Sequence, residues 1–241
     1  MGLVFDLLII FLISFILPLI WFIYFSSKDK HPEPFLWIFI AFFLGMMAGV
    51  VSYYTEGFFS QLDISEKYLY FLNAFVEEFF KFLFVFIIIF PKKVFDEPVD
   101  GMVYMIASAF GFAFLENSLF LFSSFSSNAY FLKIDKYSLI LLIGFFRFLG
   151  ANLLHILSSA LIGYGYSMAL KVRRVFPFLI SFISAWILHF IFNSIIIFSS
   201  LGSRIKDMPF YFNFIFLIPI LWFASLVVII ELKKLVSLKN D

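Results

Sequence analysis

The sequence predicts an all-α, polytopic bundle of about seven membrane-spanning helices, and three observations predict it. Apolar residues make up 63% of the 241-residue chain, with 41 phenylalanines, well above the roughly half expected of soluble domains. Runs of about twenty apolar residues recur from end to end, each long enough to cross a ~30 Å hydrocarbon core. Within these runs polar residues do not alternate with apolar ones at period two, which excludes a transmembrane β-barrel.

Each span has its own signals. The first, residues 3–25, lacks a positive leader and a small-residue cleavage site, and it exceeds a signal-peptide core, so it reads as an uncleaved span. The second, 35–55, follows the loop KDKHPEP (28–34), whose two prolines punctuate the chain. The third is 68–90. The fourth, 99–122, opens on Asp100 before Gly101, which reads as an N-cap. The fifth, 138–170, is long for one crossing and should tilt, bend or project. The sixth and seventh are 176–199 and 211–232. The connections are too short for a soluble domain, so residues 1–241 form one transmembrane domain, with its chemistry concentrated in 76–193.

Loop charge sets an orientation. Lys28, Lys30, Lys92, Lys93, Lys171, Arg173, Arg174, Lys233, Lys234 and Lys239 fall on one side, and Lys67, Lys133, Lys136, Arg204 and Lys206 on the other. Ten against five predicts an outside N-terminus and a cytoplasmic C-terminus. A net charge of +1 with no basic stripe gives no nucleic-acid signature. The absence of cysteine excludes disulfides, thiol catalysis and cysteine metal ligands.

The residues that carry chemistry are those a bilayer tolerates least. Span three holds Glu77, Glu78 and Lys81, and span four Glu116 and Asn117; span five holds Arg147, Asn152 and His155, and span six His189 and Asn193. Facing lipid, each charge would cost roughly 2.5–3.5 kcal/mol. A shared polar interior walled by spans three to six is the cheaper arrangement. Either glutamate of span three can reach Lys81 at i+3 or i+4, while the two glutamates project about 100° apart and so serve different neighbours. Ala107, Ser108, Ala109, Gly111 and Ala113 allow close helix approach.

Singly, these residues have plain structural readings: Lys81 and Arg147 as pair partners, Asn152 as an interhelical hydrogen bond, a histidine as a packing residue. Together they suit hydrolysis. A glutamate desolvated among carboxylates can act as a general base near neutral pH, and a histidine with an asparagine can orient water or hold an oxyanion. Ionised, the three glutamates and two cations sum to −1, so one shared proton or imidazolium neutralises the set, and a divalent metal would leave +1. Other intramembrane protease types lack their letters: no mid-span aspartate pair, no HExxH, no G-x-S-x-G. Ser159, four residues after His155, admits a dyad but reads first as packing.

VEEFFK (76–81), GFAFLEN (111–117), RFLGANLLH (147–155) and HFIFN (189–193) resemble, in order, the four motifs of the PrsW family, part of the wider CAAX-prenyl endopeptidase-like, glutamic-type group of intramembrane proteases. HPEP (31–34) and VDG (99–101) are similar to its lesser landmarks, and the resemblance spans roughly residues 28–195. It implies an endopeptidase in the cytoplasmic membrane of a prokaryote, cutting single-pass proteins such as anti-sigma factors near the extracytoplasmic face. Glu77 or Glu78 would be the base, assisted by His155, with Glu116, His189 and Asn193 completing the site and Lys81, Asn117, Arg147 and Asn152 supporting it. No cofactor is favoured. Lys81 stands where the prenyl-protease branch has arginine, and Glu116 where it has histidine, which argues against a prenyl-cysteine substrate. The alternatives are zinc held by His155, His189 and Glu116, a proton or ion pathway, or a scaffold. The expected partners are a single-pass substrate and the bilayer, with the oligomeric state left open.

Overall fold

The computed structural model describes residues 3–126, 135–202 and 211–237. It is an all-helical bundle: α1 (Leu3–Ser26), α2 (Phe35–Phe59), α3 (Glu66–Ile88), α4 (Asp100–Ser126), α5 (Lys136–Arg147), a π-helical turn (Phe148–Asn152), α6 (Leu153–Val172), α7 (Phe176–Gly202) and α8 (Tyr211–Ser237). Since α5, the π-turn and α6 run on as one rod, seven rods stand where seven spans are expected. Five of them (α1, α2, α4, α5–α6 and α7) are each long and apolar enough to cross a membrane. α3 is not among these because Glu77, Glu78 and Lys81 interrupt its centre. Lys133, Arg204, Lys206 and Lys239, which enter the charge count above, lie outside the described residues.

α4 is the axle. Every residue from 101 to 114 is buried, with α1, α2 and α6 packed around it. Small residues make this approach work: a Cβ on Gly45 of α2 would sit 1.8 Å from the Ser108 carbonyl oxygen, and one on Gly111 of α4 would sit 1.8 Å from that of Phe42. The backbones touch there because neither residue has a side chain.

The long fifth rod is interrupted by the π-turn. Trp21 of α1 donates its indole N–H to the Phe148 carbonyl at 2.8 Å and stacks on the Phe148 ring at 5.0 Å, holding α1 against the turn. Nearer the rod's start, Asp135 caps α5 by accepting the Tyr137 and Ser138 amides. Buried Asp6 of α1 receives the Lys136 ammonium at 3.1 Å and the Tyr137 hydroxyl at 2.9 Å. At α4 the expected cap takes another form. The Asp100 carboxylate accepts the amides of Asp96 and Glu97, at 2.8 and 2.7 Å, holding the preceding loop rather than its own first turn.

Candidate active site

The polar residues of α3, α4, α5–α6 and α7 meet inside the bundle, halfway along α3. Glu78 is fully buried, and its Oε1 accepts three hydrogen bonds: from Lys81 Nζ at 2.7 Å, Ser158 Oγ at 2.8 Å and His189 Nδ1 at 2.7 Å. Glu77, one position earlier, projects to a different side. Its side chain is 12% exposed, and its Oε2 lies 3.6 Å from His189 Nε2 and 4.0 Å from His155 Nδ1. That oxygen is buried without a hydrogen bond. The pairing expected between Lys81 and either glutamate therefore falls to Glu78.

The histidines are oriented from behind. His155 Nε2 sits 2.8 Å from Glu116 Oε2, and His189 Nδ1 faces Glu78. Carboxylates only accept, so these two nitrogens carry the protons. The opposite nitrogens, His155 Nδ1 and His189 Nε2, present lone pairs toward Glu77. The two rings meet edge to face, with centroids 5.1 Å apart. Lys81 Nζ lies 3.3 Å from His155 Nδ1 and 4.7 Å over the Phe112 ring.

Around Glu116 a second tier closes the cluster. Arg147 pairs with Glu116 at 2.8 Å and donates its Nε–H to the Asn117 side-chain oxygen. Asn117 in turn donates to Asn152 at 2.9 Å, the interhelical bond expected of Asn152. Arg147 and Asn152 are five residues apart, so an ordinary helix would turn them well away from each other. The i→i+5 turn between them brings both toward α4. Asn193, one turn beyond His189, is half-buried and makes no hydrogen bond to these residues among the described set.

The sequence reading misses two members. Ser158, not Ser159, joins the cluster; the Ser159 hydroxyl is buried without a partner. Glu56 lies one residue past the expected end of the second span, in a helix that in fact runs to Phe59. Its signal was available: Gly45, Gly49, Ser52 and Glu56, spaced four, three and four residues apart, form one helix stripe of small and polar residues. Glu56 lines a cavity of about 90 Å³ together with Gly49, Ser52, Glu77, Phe112 and Glu116, roomy enough for several waters.

Glu77, His155 and His189 each offer one donor atom within 4.8 Å of the other two. Two histidines and a carboxylate, with room left for water, are a donor set of catalytic zinc. The 3.6 and 4.0 Å gaps slightly exceed the roughly 3.3 Å between tetrahedral ligands on one zinc. The carboxylates behind both rings match the usual support of metal-bound histidines, and the orphaned Glu77 oxygen gives a cation a reason to sit there. The residues therefore fit a metal; the carboxylate that the geometry groups with the two histidines is Glu77, while Glu116 contacts His155 on its far nitrogen.

A family model described as PrsW family intramembrane metalloprotease matches residues 33–224. The chain is similar to Protease PrsW of Oceanobacillus iheyensis, 30% identical over 105 residues, covering 42% of this chain and 48% of the relative. Protease PrsW of Clostridioides difficile is 29% identical over 121 residues (47% and 51%), and that of Bacillus subtilis 32% identical over 102 residues (41% and 47%). The chain thus spans about half the length of the curated relatives it matches. No solved structure matches it.

Proposed function

The chain belongs to the PrsW family, and from that membership and the geometry above we propose that it is an intramembrane endopeptidase cutting single-pass membrane proteins. The observation that carries the reading is the convergence of Glu77 Oε2, His155 Nδ1 and His189 Nε2, with the far nitrogen of each ring held by its own carboxylate. These three residues would hold a divalent ion such as zinc. When bound, it would polarise the scissile carbonyl and make water nucleophilic at neutral pH.

The protein's own groups do the rest. Glu78 and Glu116 fix the tautomers and orientation of the two rings. Lys81 and Arg147 offset the charge of those carboxylates, so that three glutamates can share one interior. Of the three glutamates that line the cavity, Glu56, Glu77 and Glu116, Glu77 is the one whose carboxylate lies near both histidines, which places it to meet water there. Glu56, Ser52 and Tyr53 line the approach from α2, and a peptide reaching Glu77 would enter there. With the N-terminus outside, that approach lies toward the extracytoplasmic face, where a substrate of the anti-sigma-factor kind would be cut.

A second reading dispenses with metal: Glu77 takes the proton from water and His155 assists. The contact between the Lys81 ammonium and His155 Nδ1, 3.3 Å apart, favours it, since a cation already uses that lone pair. Metal analysis of the purified protein beside a single-pass reporter assay separates the two. We expect one zinc per chain, cleavage lost on chelation and restored by zinc, and both lost in His155→Ala and His189→Ala. Metal-free protein that cleaves in chelator would establish the glutamic mechanism. Cleavage unaffected by Glu77→Gln, His155→Ala and His189→Ala would end the protease assignment.

A further inference from the structure

A second acidic cluster lies at the other end of α4, away from the hydrolytic centre. Asp29 and Glu33 come from the loop between α1 and α2, and Asp100 opens α4. One oxygen from each lies within 4.8 Å of the other two. Asp100 and Glu116 are sixteen residues apart on one helix, so the two clusters are separated by roughly 24 Å.

Two of the three acids are tied down in a way that leaves one oxygen over. Asp29 Oδ1 accepts the His31 amide at 2.9 Å, and Asp29 Oδ2 is buried with no partner. Asp100 Oδ2 accepts the two amides of Asp96 and Glu97, and Asp100 Oδ1 is buried with no partner. Asp29 is 8% exposed and Asp100 fully buried. Glu33 accepts the Tyr104 hydroxyl. Among the described residues no lysine, arginine or histidine side chain pairs with any of the three acids. Buried carboxylates are ordinarily paired or bound to metal. A proton shared between Glu33 and Asp100 would serve those two acids and leave the Asp29 oxygen without a partner; one cation serves all three.

We infer that Asp29, Glu33 and Asp100 form a second cation site, for a hard divalent ion of the Ca2+ or Mg2+ kind, that clasps the first loop to the start of α4. The donors are all oxygen, with no imidazole or sulfur among them, which selects hard ions over zinc. The remaining coordination positions would be filled by water, since the loop side is half open at Glu33. Bound there, the ion would fix the end of the helix that carries Glu116 at its far side.

Terbium(III), an oxygen-seeking stand-in for these ions, tests the site in the full chain, purified in detergent and stripped with chelator. Tyr104, hydrogen-bonded to Glu33, is placed to sensitise its luminescence. We expect a saturable signal in the wild type that persists in the His155→Ala/His189→Ala double variant, which lacks the other centre. Asp29→Asn and Asp100→Asn should each weaken binding at least tenfold. Both keep an oxygen for the backbone amides, and Asp29, on a loop, carries the test alone if Asp100→Asn does not fold. Displacement by Ca2+ or by Mg2+ identifies the ion that fills the site. The inference is overturned by the absence of a saturable signal, by unchanged affinity in Asp29→Asn, by loss of the signal with the histidines, or by displacement with neither ion.

Discussion

Glu77 and Glu78 are the same residue in adjacent positions, and packing gives them opposite work. Glu78 accepts three hydrogen bonds in complete burial, so removing it strands the Lys81 ammonium. Glu78→Ala should therefore destabilise the protein by about 3–5 kcal/mol, measured as loss of thermal stability in detergent. Glu77, with a free oxygen facing the cavity, should behave differently: Glu77→Gln keeps stability within about 1 kcal/mol and abolishes cleavage of a single-pass reporter. The list of cluster residues was legible in the sequence, because a charge in hydrocarbon is costly and rarely accidental. Which glutamate does which task was not, since neighbours 100° apart on a helix are distinguished only by what lies on each side. Ser158 was hidden for a related reason: a serine in a transmembrane helix satisfies itself on its own backbone at no cost, so its type carries little signal.

At the level of elements, the rod α5–α6 matters most. Its excess length was readable, and so was the need to tilt, bend or project. The mechanism was not, because a π-turn leaves no signature in composition and depends on what packs beside it, here Trp21 and α4. The turn aligns Arg147 with Asn152. Deleting Leu149 should restore an ordinary helix and swing α5 by about 100° relative to α6, pulling Arg147 off Glu116. The expected outcome is unchanged helical content by circular dichroism with cleavage lost, whereas Leu149→Ala retains cleavage. Glu56 shows how boundaries mislead: hydropathy ends the second span at its first charge, while the helix continues until its hydrogen bonds run out at Phe59.

Taken whole, the molecule is a bundle around α4 with the proposed hydrolytic centre on one half of that axle and an acidic cluster at its start. The proposed orientation is directly testable because the chain has no cysteine, so single introduced thiols report without background. Gln61→Cys should react with a membrane-impermeant maleimide from outside intact cells, and Ser27→Cys only after permeabilisation; both positions are exposed. The reverse pattern would put the cavity on the cytoplasmic side. Sequence alone determined the membrane class, the rods and the residues that must converge, because the bilayer penalises lipid-facing charge by an amount that composition and spacing can register. Only the tertiary structure brought the Glu77 carboxylate between the two histidines with Glu116 behind His155, and the first-loop acids Asp29 and Glu33 to the distant Asp100. Those choices depend on rotations of whole helices about their axes. Rotation is set by backbone contacts such as Gly45 on Ser108, not by the sequence of any one helix.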